Sequence, residues 1–265
     1  MRTFTFLLSL ISFALVQAIP TPSETKASNS TVEDVTKSFK LQARQGGPRA
    51  QVFSHCTVPN TVALTFDDGP YLYTRRVAEI LNAAGAKGTF FVNGNNWACI
   101  YNPDLSSQLK FAYDTGHQIA SHTWAHQNLA TLTWDQIHHQ MWLVEQAVQR
   151  ITGASVAFMR PPYGSYNNLV LEASYIRGQH VVYWDFDSGD SMGVSVPAQM
   201  ARYDTLAATH PSTALSLQHE VHFLPHAISR LQTAGYNLVT VAQCLGLSPY
   251  RSVGSPGVRD PSWAC

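Results

Sequence analysis

Thr65-Phe66-Asp67-Asp68-Gly69-Pro70, following the apolar run Val62-Ala63-Leu64, sets two adjacent carboxylates at the end of a strand. Like charges so close do not both ionise freely unless a cation or strong hydrogen bonds offset them. The pair therefore points to a metal site or an acid/base dyad. Asp-Asp-Gly-Pro is equally the composition of a solvated turn, and the rest of the chain must decide.

Working outward, short apolar runs that end in turn signals alternate with helical periodicity. Residues 74–84 place Val77, Ile80, Leu81 and Ala84 on one helical face, and Gly85 stops it. Beyond the strand at 62–66, strands are expected at 89–92, 118–121, 156–159, 181–184, 214–218 and 237–240. Further helices are expected at 106–115, 167–177, 196–208 and 224–234. The longest helix is the clearest. Thr133 and Gln136 form a capping box, Ile137, Met141, Val144, Val148 and Ile151 recur at three- and four-residue spacing, and Gly153 closes it.

This alternation predicts an α/β fold with a parallel sheet covered by helices. Asp67 and Asp68, His122, Arg160, Asp187 and His219 then sit at the C-terminal ends of separate strands. In a βα barrel the loops at that end form the active site, so residues distant in sequence converge there.

Composition narrows the function. Seventeen basic residues balance seventeen acidic ones, and no Lys/Arg cluster carries interleaved aromatics, so no nucleic-acid partner is expected and a neutral substrate fits better. Met1-Arg2, an apolar stretch from Phe4 to Val16 and Gln17-Ala18 read as a secretory signal peptide over 1–18. No later window approaches the roughly 18 continuous apolar residues of a membrane span, so a secreted chain with no membrane partner is expected. Residues 19–47, rich in Thr, Ser, Lys, Glu, Pro and Gln, read as a pro-segment or flexible leader, with a glycosylation sequon at Asn29. One domain, 48–265, remains.

Four cysteines in an exported chain favour two disulfides, and three pairings are open. Cys56 precedes the first expected strand and Cys244 follows the last, so a bridge between them would tie the ends of the domain. Cys99 is then left with Cys265.

His122 and His126 lie four residues apart, which on a helical turn stacks two imidazoles on one face. With one carboxylate they would make a triad suited to Zn²⁺, leaving room for water and substrate. The competing reading is a chance spacing on a solvated loop; placement after one strand, with an acidic pair after another, favours the triad. His219-Glu220-Val221-His222 is one residue short of a zincin spacing, and Pro225 interrupts the turn between His222 and His226.

The segments 65–70, His122 to His126, Arg160-Pro161-Pro162-Tyr163, Asp187 to Asp190 and Leu215 to His219 together resemble, in order and spacing, the five motifs of the polysaccharide deacetylases, carbohydrate esterase family 4. The resemblance runs from about Cys56 to Leu247, and residues 90–97 are most similar to secreted fungal chitin deacetylases. It implies a distorted, incomplete (β/α) barrel. It also implies that Asp68, His122 and His126 hold one divalent ion, Zn²⁺ first and Co²⁺ second, with Asp67 as general base and His219 as general acid. By the same resemblance the Tyr163 backbone N–H serves the oxyanion, Leu217 meets the acetyl methyl, Arg160 orients Asp67 and Asp187 holds His219.

The implied reaction is removal of acetyl groups from polymeric N-acetylglucosamine, chitin first, by a secreted monomer. Acetyl-xylan esterase and peptidoglycan deacetylase are the enzymatic alternatives, and a non-catalytic glycan-binding protein is the other. Trp97, Trp124, Tyr163 and Trp184 are candidates to stack on sugar rings, with core burial equally open for the tryptophans. Ser191-Met192 departs from the family, which often has an aromatic walling the acetyl pocket there.

Overall fold

The computed structural model describes residues 46–219 and 221–265; the expected signal peptide, Asn29 and nearly all of the expected leader lie outside them. The main sheet is parallel and holds six strands in the order β1 (Val52–Phe53), β8 (His180–Val182), β7 (Phe158–Met159), β5 (Gln118–Ser121), β4 (Thr89–Val92) and β3 (Thr65–Asp67). A second parallel set runs β11 (Asn237–Val239), β2 (Thr61–Ala63), β10 (Thr213–Leu217), β9 (Phe186–Asp187). The two sets meet where Asp67 N–H donates to Gln218 O at 3.0 Å. The sheet thereby curls into an incomplete barrel, as the family resemblance implies.

Two expected strands each divide in two. The run 62–66 breaks at Leu64, because the chain there changes neighbours. β2 pairs with β10 and β11, whereas β3 pairs with β4. The run 156–159 breaks at Ala157, where β6 (Ala154–Val156) pairs antiparallel with β12 (Tyr250–Val253) and β7 joins the main sheet. An apolar run carries no mark of a change of partner. The strand expected at 181–184 ends at Val182, and Tyr183 and Trp184 instead stack on one another with ring centroids 4.0 Å apart.

Helices α1 (Thr74–Ala83), α2 (Pro103–Asp114), α3 (Trp134–Thr152), α4 (Asn168–Ile176), α5 (Val196–Thr209), α6 (Leu224–Thr233) and α7 (Val241–Leu245) complete the alternation. α2 starts three residues before its expected position. Asn102 caps it by accepting from Asp104 N–H at 3.0 Å, and Pro103 occupies a first-turn position where its missing N–H costs nothing. α3 has the expected capping box and ends at Gly153 with φ 83°. A Cβ at Gly153 would also lie 2.2 Å from Gly254 O, so packing as well as conformation requires glycine. Ile137, Met141, Val144, Val148 and Ile151 are all buried, as their spacing predicts.

Cys56–Cys244 and Cys99–Cys265 are both bonded, across sequence separations of 188 and 166 residues. Loops of that size correspond to roughly 4–5 kcal/mol each in the chain-entropy picture. A double Cys56→Ser/Cys244→Ser variant is expected to unfold on the order of 10 °C lower than the parent in a thermal melt; an unchanged midpoint would show that the bridge does not restrain the ends of the domain.

Candidate active site

The C-terminal edge of the strands gathers the motif residues into one site. Asp67, the last residue of β3, is 6% exposed, and Arg160, following β7, is fully buried. Arg160 Nη1 donates to Asp67 Oδ1 at 2.8 Å and to Thr65 Oγ1 at 2.6 Å; Nη2 donates to Tyr183 O at 2.9 Å. Phe91 lies 4.3 Å beneath the guanidinium. Burial raises the pKa of Asp67 above the usual carboxylate value and outweighs the opposing pull of Arg160. The carboxylate is thus held in a fixed orientation and is more basic than an exposed aspartate.

Asp68 diverges at once from its neighbour. Its Oδ1 lies 3.3 Å from His126 Nε2 and 3.5 Å from His122 Nε2, is buried, and meets no hydrogen-bond donor among the described residues. His122 Nδ1 sits 2.7 Å from Arg160 O, so its N–H donates there and the Nε2 lone pair faces Asp68. Burial, joined by the charges of His126 and Arg160, lowers the His122 pKa to about 3 and keeps the ring neutral. The three ligand atoms lie within 4.8 Å of one another. Two imidazoles and a buried carboxylate oxygen so placed could hold a divalent cation, and their chemistry would suit Zn²⁺.

The helical turn expected for 122–126 does not form. Thr123 and His126 have φ of 71° and 52°, left-handed values that no right-handed turn contains. The loop nevertheless brings the two imidazoles together, with centroids 4.9 Å apart. Tyr163, in the short turn Pro162–Gly164, stands edge-on to His126 at 4.7 Å and is exposed. Leu217 closes β10 and is buried.

One expected partnership is corrected. His219 is held by Asp190, not Asp187: its Nδ1 lies 3.0 Å from Asp190 Oδ1, and its backbone N–H donates to Asp190 Oδ2. Asp187 Oδ1 accepts from Gly189 N–H at 2.7 Å. Gly189, at φ 78°, turns the chain between the two acids and brings Asp190 beneath His219. Two aspartates three residues apart look alike in sequence. Burial alone would lower the His219 pKa, but the bond to Asp190 and the charges of Asp67, Asp190 and Asp68 together lift it to about 9. The site thus contains a buried carboxylate and a proton-bearing imidazole.

A cavity of about 390 Å³ opens beside these groups, lined by Asp67, Asp68, His219, Tyr71, Tyr73 and Trp97 among others. Tyr71 and Trp97 face each other at 6.3 Å. The sequence alone does not mark Tyr71 and Tyr73 as site residues; their only signal is position, directly after the Gly69-Pro70 turn. Ser191 also lines the cavity where the family often has an aromatic, and Met192 points to solvent, 78% exposed. Of the other candidate stacking residues, Trp124 packs tightly over Gly94 and Trp184 stacks on Tyr183. His226 pairs with Asp204 at 2.9 Å rather than with His222.

The family model described as Polysaccharide deacetylase matches residues 54–182. A chitin deacetylase of Pestalotiopsis sp is 39% identical over 213 residues, covering 78% of this chain and 71% of that protein. The chain belongs to the polysaccharide deacetylase family. A probable peptidoglycan-N-acetylglucosamine deacetylase of Arthroderma benhamiae is also 39% identical, over 75% of this chain, which spans only 47% of that longer relative. Among solved structures of the family, the chitin deacetylase of Colletotrichum lindemuthianum superposes with a TM-score of 0.73 at 31% identity, over 78% of this chain and 96% of that one.

Because Asp190 keeps the proton on His219, Asp190→Asn is expected to bring the imidazole pKa from about 9 down to the ordinary 6.5 or below, followed by NMR titration. Asp187→Asn should leave it near 9. The reverse result would restore Asp187 as the partner.

Proposed function

We propose that this chain is a secreted, metal-dependent chitin deacetylase that hydrolyses N-acetyl groups of polymeric N-acetylglucosamine. The observation that carries the reading is the division of labour between adjacent carboxylates: Asp68 faces the imidazoles of His122 and His126, while Asp67 is paired with Arg160. Asp68, His122 and His126 would hold the ion. Zn²⁺ bound there would lower the pKa of its water to about 7 and polarise the amide carbonyl.

Asp67, oriented by Arg160 and made more basic by burial, takes a proton from the attacking water as the C–O bond forms. The Tyr163 backbone N–H donates to the developing oxyanion, a contact typically worth about 3–4 kcal/mol, and Leu217 packs on the acetyl methyl. His219, charged at neutral pH, gives its proton to the departing nitrogen as the C–N bond breaks. Acetate and a free glucosamine amine result. Tyr71, Trp97 and Tyr163 offer exposed rings to the neutral sugar chain.

Two disulfides fit export to an oxidising compartment, and no helix among the described residues is long and apolar enough to cross a membrane. The Arthroderma benhamiae relative supports peptidoglycan as the second substrate reading. Acetate release from chitin oligomers, peptidoglycan and acetylated xylan, compared under one condition, decides among them; chitin oligomers are expected to be turned over fastest, and a strong preference for either other polymer would replace chitin as the substrate.

On the best substrate, Asp67→Asn is expected to lose at least about 10²-fold in kcat while still binding Zn²⁺. His126→Ala should lose both metal and turnover. An active Asp67→Asn enzyme, or a fully metallated His126→Ala protein, would overturn the corresponding role.

A further inference from the structure

Four residues around the triad hold left-handed backbones: Asp68 at φ 72°, Thr123 at 71°, His126 at 52° and Tyr163 at 61°. Such conformations are disfavoured for side chains with a Cβ, most of all for a β-branched residue such as Thr123. They persist only where the surroundings over-determine them. Residues 122–126 have no helix of their own to impose the shape, so the restraint must come from outside the segment.

Asn93, the residue after β4, is 2% exposed and supplies that restraint. Both hydrogens of its side-chain amide are used on the histidine loop: Nδ2 donates to His122 O at 2.6 Å and to Thr123 O at 2.9 Å. Its backbone N–H donates to Gly69 O at 2.7 Å, one residue beyond Asp68. A single residue therefore ties the segment bearing Asp68 to the segment bearing His122 and His126.

The neighbouring contacts complete the grip. Gly94 N–H and Asn95 N–H donate to Trp124 O at 3.0 and 2.7 Å. That approach requires glycine, since a Cβ on Gly94 would fall 1.8 Å from the Trp124 ring. From the far side Gln140 holds Trp124 N–H on its backbone carbonyl at 2.9 Å and Ala125 N–H on Oε1 at 2.8 Å. The other end of the Asn93 loop is fastened by the Cys99–Cys265 bond.

We propose that Asn93 is the positioning residue of the metal triad: its amide locks the His122-Thr123 carbonyls in the left-handed turn and so sets the separation between Asp68 and the two imidazoles. This rests on reading Asp68, His122 and His126 as metal ligands. Only asparagine suits the position. Aspartate is the same size but has no hydrogen to give, and would set a carboxylate against two carbonyl oxygens; alanine would leave both carbonyls unpaired. Without the lock, Thr123 can relax to negative φ and swing His122 away from Asp68.

Two readouts on the full chain test this, with Asn93→Ala, Asn93→Asp and, as control, Asn96→Ala, which removes only the 3.2 Å bond to Asn93 Oδ1. Competition with a chromophoric chelator is expected to show Zn²⁺ affinity reduced about 10- to 100-fold in both Asn93 variants and nearly unchanged in Asn96→Ala. Amide hydrogen exchange of residues 122–126 in metal-stripped protein is expected to quicken at least about tenfold in the Asn93 variants, with far-UV circular dichroism preserved. Parental affinity and exchange in either Asn93 variant would overturn the proposal. Global unfolding of both would overturn it too, by assigning Asn93 to the core rather than the site. Should the parent bind no Zn²⁺, the metal reading fails, and the exchange measurement still decides whether Asn93 holds the loop.

Discussion

A guanidinium sealed completely from water is the constraint on which the site depends. Arg160 has Asp67 as its charge partner, and its Nη1 and Nη2 also donate to Thr65 Oγ1, Tyr183 O and, at 3.4 Å, Ser216 O, while Nε meets no acceptor among the described residues. Such a pair is a poor source of net stability, yet removing one partner strands the other charge at a cost of about 3–5 kcal/mol. The fold is thus committed to keeping both. Arg160 also acts through its backbone, because its carbonyl accepts the His122 Nδ1–H and fixes which imidazole nitrogen faces Asp68. One residue orients the proposed base through its side chain and a candidate metal ligand through its main chain.

Around that anchor, environments push neighbouring groups toward opposite proton states. Burial raises Asp67 and lowers His122, while Asp190 and the surrounding carboxylates outweigh burial at His219. The outcome is a basic carboxylate, a neutral imidazole and a charged imidazole within one site, the separation that acid/base hydrolysis at neutral pH needs. The disfavoured backbones at Asp68, Thr123, His126 and Tyr163 belong to the same design, in which loops are bent to aim side chains and the contacts of neighbouring loops hold them there.

Much of this was legible in the sequence because the signals are local. The capping box at Thr133, the apolar spacing along α3 and the placement of acids and histidines after apolar runs each follow from a short window. What was not legible depends on partners far along the chain. The splits at Leu64 and Ala157 record a change of neighbouring strand. The choice of Asp190 over Asp187 depends on a turn at Gly189 and on where β10 delivers His219. The non-helical path of 122–126 reflects Asn93, 29 residues before His122, and Gln140, 15 residues beyond Ala125. Motif spacing singled out two histidines that the fold brings together with Asp68, while implying the wrong local geometry for them.

The central claim is that Asp68, His122 and His126 share one divalent cation while Asp67, its neighbour in sequence, stays off the metal. Anomalous diffraction at the zinc edge from crystals grown with Zn²⁺ tests it most directly. One peak is expected about 2.0–2.2 Å from Asp68 Oδ1, His122 Nε2 and His126 Nε2, with Asp67 still bonded to Arg160 and outside the coordination sphere. A peak that includes Asp67, or one centred on His219 and Asp190, would contradict it.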